Sequence, residues 1–516
     1  MAKAAFISLY DESAYGIRML SACLKKAGHE RHIIFLKGYK NSHTGKGVRL
    51  YKDEKPWEGI GPYGNSLIYA IRKDITKEEK YILIGLIKKI KPDFVGLTVN
   101  TPLRWRAIVI SKLIKTELPD IPVIWGGFEP TINPKESLRY CDVVCRGEAE
   151  LAIVEIADHI DKKKGLRSIK NLCFKDGGTF IENELNPLCG DLDKLPFQDC
   201  SSEGNYFIED NKLYSSPKFL FPDPNIYSTI TARGCVFQCS YCCESYLKNL
   251  YKPHLFLRRR SPKNVIAEIE EVKKNDDIDY IIFQDEIISF QTDWLKKFAP
   301  LYRKKIGIPF TAFMFPSDKF RERLELLKEA GLSSTCLAVQ SGSQRICKVY
   351  NRLCDKKLFL EAAGTLRDMN LTFYTDVITY NPMESKQDLE ETLDFLLDIP
   401  QPYDICINKL YILPGTKLSE QLPDSAINKK RGYIFDYYCG LFFISSYFKS
   451  ARIWVGLIKS IKVFENYPVL LKPILYIAYF FGSLNKTVLK LKKIKNTGRL
   501  NAGFLTGVIK RKLKFI

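Results

Sequence analysis

Two long stretches of this 516-residue chain alternate short apolar runs with amphipathic helical patterns, and that alternation restricts its fold more than any other feature. In residues 1–165 the strand-like runs are Ala4–Leu9, His32–Leu36, Phe94–Val99, Pro122–Trp125 and Asp142–Cys145. Between them lie Gly16–Lys26, a helix ending near Ile90, and Arg104–Leu118. Apolar strands separated by amphipathic helices predict a parallel, doubly wound α/β sheet of Rossmann type. Ligands of such sheets bind beyond the strands' carboxyl ends, where Asp11–Gly16, Thr98–Thr101, Gly126–Thr131 and Arg146–Glu150 fall. The basic, Gly-rich segment Lys37–Gly64 is expected as an insertion or surface loop.

Residues 166–225 read as a connector. They contain one hairpin, Leu172–Lys175 and Thr179–Glu182 around Asp176-Gly177-Gly178, followed by the proline-spaced stretch Asp191–Pro224. The alternation then resumes over residues 226–425. Its strands are Ser228–Ala232, Tyr280–Phe283, Phe310–Phe315, Thr335–Val339, Phe373–Thr379 and Ile405–Ile412. Six βα units suit a partial (βα)6 barrel of TIM-like type, and a second open sheet fits the same pattern. Residues 426–516 read as a helical C-terminal extension. From Arg431 onward there are 16 Lys and Arg against Asp436 and Glu465, so most of the chain's net charge of +20 belongs here. Its apolar runs are interrupted by Pro468, Lys472 and Pro473, and none reaches the roughly 18–20 residues a spanning helix needs.

Fifteen Cys are too sparse for a disulfide scaffold, and Met1-Ala-Lys leads straight into a strand-like run rather than a signal peptide. A reducing cytoplasm is expected, where clustered Cys bind metal or do chemistry. One such cluster stands out: Thr231-Ala-Arg-Gly-Cys235-Val-Phe-Gln-Cys239-Ser-Tyr-Cys242-Cys243, on a loop after a strand. Three thiolates at C-x3-C-x2-C spacing can grip three corners of a [4Fe–4S] cube and leave the fourth iron open. Gly234 allows a sharp turn beside it. A zinc site would require a fourth ligand. Cys243 and His254 are near in sequence, but the side chains of adjacent Cys242 and Cys243 tend to diverge.

The motif Cys235-x3-Cys239-x-Tyr241-Cys242, with an aromatic residue before the third Cys, resembles that of the radical S-adenosylmethionine (SAM) family. The resemblance implies that the open iron chelates the amino and carboxylate groups of SAM. It further implies reductive cleavage to methionine and a 5′-deoxyadenosyl radical, on a partial (βα)6 barrel. It assigns Cys235, Cys239 and Cys242 to the cluster and Tyr241 to SAM binding. Asp285 and Glu286, ending the second strand, correspond to acids that hold the SAM ammonium. Gln340 and Ser341 match a ribose- or carboxylate-binding segment, with Gln340 where an acid is common. Arg352 would face the SAM carboxylate, and Pro414-Gly415-Thr416 resembles a terminal turn of this subgroup.

A doubly wound domain ahead of such a barrel resembles the cobalamin-dependent branch of the family, over about residues 1–420. Val95-Gly96-Leu97-Thr98, Trp125-Gly126-Gly127-Phe128-Glu129-Pro130-Thr131, Arg146-Gly147-Glu148-Ala149-Glu150 and Asp191–Phe197 carry the likeness. Cobalamin contacts are thereby expected from Ser13, Gly16, Thr98, Gly126, Gly127, Gly147 and Glu148. Gly126-Gly127 would let a macrocycle or its nucleotide tail approach the backbone. Where some cobalamin domains carry D-x-H-x-x-G, this chain has Asp11-x-Ser13-x-x-Gly16, so cobalt would have no protein His there. A Rossmann-like domain without cobalamin is the alternative.

The resemblance implies a radical SAM methyltransferase acting on an unactivated carbon, with a [4Fe–4S] cluster, SAM and cobalamin as cofactors. An external electron donor of flavodoxin or ferredoxin type is expected, and a small-molecule or lipid-like substrate. Ring formation or rearrangement without methyl transfer is a second reading. A tRNA methylthiotransferase and a non-catalytic iron–sulfur docking protein are further ones. Lys490–Lys495 and Lys510–Lys514 behind Tyr476, Tyr479, Phe480 and Phe481 admit a solvated helical face, a peripheral contact with the inner membrane surface, or nucleic acid. Nucleic acid is the least favoured, since no RNA-binding module is recognisable.

Overall fold

The computed structural model describes residues 1–11, 13–37, 74–215, 225–401, 403–422, 432–447, 450–471 and 473–475. Nearly all of the expected loop Lys37–Gly64 lies outside them, as do both lysine clusters of the C-terminus.

The first sheet is built from β1 (Lys3–Leu9), β2 (Glu30–Leu36), β3 (Phe94–Thr98), β4 (Val123–Gly126), β5 (Val143–Cys145), β6 (Leu172–Asp176), β7 (Thr179–Glu182), β8 (Asn205–Glu209) and β9 (Lys212–Ser215). Their order is β7-β6-β5-β4-β3-β1-β2-β8-β9. The run from β5 to β8 is parallel, and an antiparallel hairpin closes each edge. Alternate residues of β1, β3 and β4 feed two cores. Ile7, Leu97 and Trp125 pack under the helices Lys77–Ile90 and Arg104–Glu117, whereas Phe6, Phe94 and Ile124 pack under Tyr15–Lys26 and Glu150–Asp161.

The segment expected as a connector is therefore part of this sheet. It contributes four strands, β6 to β9, two of which the sequence reading missed. Further contacts fasten the stretch between the hairpins. Asp199 takes the Arg31 guanidinium at 2.8 Å and the Ser21 hydroxyl at 2.7 Å, and Gln198 Nε2 donates to Tyr227 Oη at 2.8 Å. Lys37, at the end of β2, is buried between Glu79 and Glu209.

The second sheet comprises β10 (Ile226–Thr229), β13 (Tyr280–Phe283), β14 (Phe310–Met314), β15 (Leu332–Leu337), β16 (Thr372–Thr379) and β17 (Asp404–Lys409). Between its first two strands lies a short antiparallel ladder of β11 (Ala232–Arg233) and β12 (Arg258–Arg259). All six strands are parallel and stand in sequence order. Right-handed crossovers in sequence order put every helix on one face, so the sheet curls into a half-barrel rather than lying open between two helical layers. Tyr227, Ile281, Phe283, Phe310 and Ile405 face those helices in one large core.

The helix Gly432–Tyr447 joins the same core. Phe435, Tyr438, Leu441, Phe442 and Ile444 are all buried, as an all-round apolar helix must be. The basic extension expected from residue 426 thus contributes a helix to the core between sheet and helices.

Candidate active site at the cysteine loop

The loop Gly234–Cys242 follows β11 and is held at both ends. At its start, the Asp285 carboxylate accepts Thr231 N–H at 3.0 Å and Thr231 Oγ1–H at 2.5 Å. Asp285 is 2% exposed, and burial pushes its carboxyl above the ordinary range. Asp285, expected at the SAM ammonium, is here bonded to the start of the loop. Gly234 has φ +90°, and a Cβ there would lie 2.7 Å from the Phe256 carbonyl. At the far end, Ser240 N–H donates to Tyr350 O at 2.9 Å and Ser240 Oγ to Val349 O at 2.6 Å. Cys242 N–H donates to Cys239 O at 3.1 Å.

Among the described residues no trio of His, Cys, Asp or Glu stands in metal-binding geometry, so the three sulfurs are separate thiols here. They are nevertheless within electrostatic reach of one another. Burial pushes the Cys235 thiol up to about 12, and charges on Cys242 and Cys239 act in the same direction. Cys242 is raised chiefly by a hydrogen bond with Cys243, then by burial. Cys243 is the first residue of the helix Cys243–Leu250. Arg352 Nη1 lies 3.9 Å from Cys239 Sγ, and its Nη2 donates to Ala338 O at 2.8 Å. Three thiols on one short loop beside a buried guanidinium form a donor set that suits an anionic iron–sulfur cluster, because binding deprotonates the sulfurs and the cation offsets the charge.

Tyr241 packs edge-on against Tyr350 at 4.8 Å, in a small core with Ile346, Ile378 and Leu410. Gln340 has φ +62° and joins β16 through its backbone, giving to Asp376 O at 2.7 Å and taking from Ile378 N at 2.8 Å. Its side-chain Oε1 is buried with no partner in the structure, which fits an acceptor awaiting a ligand's donor. The Ser341 hydroxyl already meets Thr392 Oγ1 and Ser343 N–H. Glu286 projects into a cavity between the two sheets. Its carboxyl is raised by burial and by the Asp285 charge.

That cavity, of about 430 Å³, is walled by Gly16, Thr98, Gly126, Gly127, Gly147 and Glu148 from the first sheet and by Arg233, Gly234, Glu244 and Glu286 from the second. Ser13 is not in its wall. Both the hydroxyl and the N–H of Ser13 bond to Asp11 Oδ1, so Asp11-x-Ser13 is a turn that opens the helix Tyr15–Lys26. Gly127 has φ +98°, and a Cβ there would meet Val99 O at 2.9 Å, so the glycine serves its own backbone turn as well as any ligand. Glu244, missed in the sequence, has a buried Oε2 with no partner, and burial pushes its carboxyl up to about 7. Glycine turns opposite an unpartnered acceptor suit a large ligand rich in amide donors, which is the periphery of a corrinoid.

Gly147 and Glu148 act largely across the sheets. Tyr251 Oη accepts Glu148 N–H at 2.8 Å, Arg258 makes a two-armed pair with the Glu148 carboxylate, and Arg233 approaches it at 3.3 Å. Burial alone would raise the Glu148 carboxyl. The Arg258 hydrogen bonds and the Arg233 charge outweigh it and hold the group below its ordinary value. A depressed carboxyl contributes stability above its unfolded pKa, about 4.3, and loses it as pH falls through the lower folded value. Acidification below about pH 4 is therefore expected to lower the melting temperature of the wild type. Glu148→Gln should melt lower at pH 7 and lose less on acidification, as thermal scans over that range would register.

A second cavity, of about 930 Å³, also borders the loop. Val236 and Phe237 line it with Ile287, Phe315, Ser341 and Leu353. Within the half-barrel, Asp376 faces its register partner Cys406 and takes a bond from Cys336 Sγ at 3.3 Å. The sequence reading did not single out these three, although strand alternation puts them opposite the helix-facing Val377 and Ile405. Cys347 and Cys354 form a disulfide that brackets Arg352. Cys23, Cys141, Cys145 and Cys173 are buried free thiols.

Comparison with known proteins fits this geometry. Residues 229–396 match the Radical SAM superfamily, and residues 73–157 match the B12 binding domain. The cofactors of these families are a [4Fe–4S] cluster, SAM and cobalamin. An uncharacterized methyltransferase, PH0819, of Pyrococcus horikoshii is 26% identical over 365 residues, covering 69% of this chain and 74% of that protein. The anaerobic magnesium-protoporphyrin IX monomethyl ester cyclase of Cereibacter sphaeroides is 26% identical over 381 residues, which is 70% of this chain but only 57% of the cyclase. Among solved structures, the cobalamin-dependent S-adenosylmethionine radical enzyme OxsB, with aqua-cobalamin and S-adenosylmethionine bound, superimposes with a TM-score of 0.61. The match covers 100% of this chain and 75% of that one at 14% identity, a likeness of fold.

Proposed function

We propose, for a chain that belongs to the B12-binding branch of the radical SAM superfamily, that it transfers a methyl group to an unactivated carbon of its substrate. When bound, the cofactors supply one-electron cleavage of SAM at a [4Fe–4S] cluster and a methyl carrier in cobalamin. The chain itself supplies grip, orientation and exclusion of water. Cys235, Cys239 and Cys242 would hold three irons and leave one corner to SAM, with the Arg352 cation offsetting the charge. Glu286 and the unpartnered Gln340 Oε1 are acceptors for SAM donors. Gly16, Thr98, Gly126 and Gly127, facing Glu244, form the cobalamin side. Asp285, Gly147 and Glu148 position these groups by fixing the loop and joining the sheets.

One observation carries this reading: the cysteine loop borders two cavities. Its Gly234 end lines the inter-sheet cavity, and Val236 and Phe237 line the larger one. Such a loop can face a cofactor in one cavity and a substrate in the other. Radical SAM enzymes draw their electron from an external donor. The substrate class proposed is a small or lipid-like molecule.

The discriminating experiment supplies the reconstituted protein with SAM, reductant and candidate substrates without oxygen. Methyl transfer predicts S-adenosylhomocysteine and 5′-deoxyadenosine rising together with methylated product. The similarity to a cyclase favours a second reading, ring formation without methyl transfer, which predicts 5′-deoxyadenosine without S-adenosylhomocysteine.

A further inference from the structure

The far end of the cysteine loop is held from one short segment, and that segment is itself a closed ring. The helix Gln344–Val349 stops there, and Asn351, with φ +47°, turns the chain back. From this turn the Val349 and Tyr350 carbonyls accept Ser240 Oγ–H and Ser240 N–H. Asn351 Nδ2 donates to Gln238 O at 2.8 Å, and Arg352 Nη1 reaches Cys239 Sγ at 3.9 Å. The run Val349–Arg352 thus grips the run Gln238–Ser240 residue by residue. Cys347 and Cys354 stand on either side of the gripping residues and are joined by the disulfide. Their two sulfurs differ in access. Cys347 is 2% exposed, whereas Cys354 lines the larger cavity beside Leu353, which is 68% exposed.

We infer that Cys347 and Cys354 are a thiol–disulfide modification site whose closed form fastens the cysteine loop. A crosslink acts on chain entropy: joining two positions a sequence separation of 7 apart removes open conformations of everything between them. All the gripping residues lie between them, so fewer opened states compete with the grip. With the bond cut, the same hydrogen bonds must hold a freer segment. The exchange partner is a low-molecular-weight disulfide such as glutathione disulfide. The Cys354 thiolate attacks it from the cavity, the S–S bond of the solute breaks, and one glutathione leaves. The Cys347 thiolate then attacks the Cys354 sulfur of the mixed disulfide, and the second glutathione leaves. Two protein thiols lose two electrons, glutathione disulfide gains them, and the two protons pass to the departing glutathione thiolates. The order follows from position: the accessible sulfur meets the solute, and the buried one completes the ring. The crosslink consumes none of Cys235, Cys239 and Cys242, so the oxidised chain keeps all three thiols on a fastened loop.

Peptide mapping and hydrogen exchange on the full chain, free of iron, test this without any turnover. After incubation with glutathione disulfide, tryptic digestion without reductant should yield Ile346-Cys347-Lys348 joined to Leu353-Cys354-Asp355-Lys356, and dithiothreitol should separate the two. In the crosslinked chain, exchange over Gln238–Cys242 should be slower than in the reduced chain by about tenfold or more, the effect of closing so short a ring on local opening. Cys354→Ser should exchange at the reduced rate with or without the oxidant. The strand Phe94–Thr98 is the internal control and should not respond. Three results overturn the inference: an oxidant that joins other cysteines in place of this pair, equal exchange over Gln238–Cys242 with the bond closed and open, or a Cys354→Ser chain that still responds to the oxidant. Neither iron content nor product formation enters the measurement, so it stands or falls apart from the methyl-transfer reading.

Discussion

Cys239→Ala is expected to yield a folded chain that retains no more than residual iron and forms 5′-deoxyadenosine only at the background rate. The substitution removes a sulfur and little else. The Cys239 carbonyl holds Cys242 N–H and takes Ser245 Oγ at 2.7 Å, and alanine keeps that carbonyl. The tie from Ser240 to Tyr350 is likewise backbone. A chain with wild-type melting behaviour but neither iron nor SAM cleavage would separate the ligand role from a packing role. Cys243→Ala is the matched control. It removes the neighbouring thiol but no assigned ligand, and should keep both iron and cleavage. Iron analysis and product quantification on the two variants decide the matter. Loss in both would move the ligand assignment to Cys243.

The second large effect is expected in the wall of the inter-sheet cavity. Gly147 has φ +66°, and a Cβ there would stand 1.8 Å from Tyr251 Oη. The tyrosine cannot swing away cheaply, because it is 3% exposed and its hydroxyl holds Glu148 N–H. Gly147→Ala thus combines left-handed backbone strain with overpacking, for a cost of about 2–4 kcal/mol. It should lower the melting temperature and raise hydrogen exchange at both Glu148 and the helix Cys243–Leu250. Tyr251→Phe alone gives up one hydrogen bond, about 1 kcal/mol. Removing the ring as well, in Gly147→Ala with Tyr251→Ala, should recover part of the loss. Equal damage from the single and the double variant would mean that backbone strain, not the clash, dominates.

What the sequence revealed and what it hid follow from the range of the interactions involved. The parallel strands were legible because burial on both faces writes itself as a continuous apolar run, as in Ala4–Leu9 or Phe94–Val99. β8 and β9 escaped because Tyr206-Phe207-Ile208 is brief and lies among prolines and polar residues. A local signal was available: Asp210 and Asn211, both with positive φ, form the tight turn that hairpins favour. The choice between Asp285 and Glu286 was legible too. Ile281 and Phe283 face the helices, so continuing that alternation aims Asp285 away from the cavity and leaves Gln284 and Glu286 in its wall. Gly147 and Glu148 were different. Their partners, Tyr251 and Arg258, lie more than 100 residues away, and no local pattern reports such a contact. The cysteine triplet was readable because one short loop carries all three sulfurs, and its packing against Tyr350 needed the fold.

The central claim is that these three sulfurs hold a redox cluster beside a cobalamin domain. Joint quantification of iron and cobalt in full-length protein, purified without oxygen from cells supplied with cobalamin, tests it most directly. The account predicts about four irons and one cobalt per chain, with the iron lost in Cys239→Ala and the cobalt retained. Zinc in place of iron, or iron that survives removal of Cys239, would contradict it.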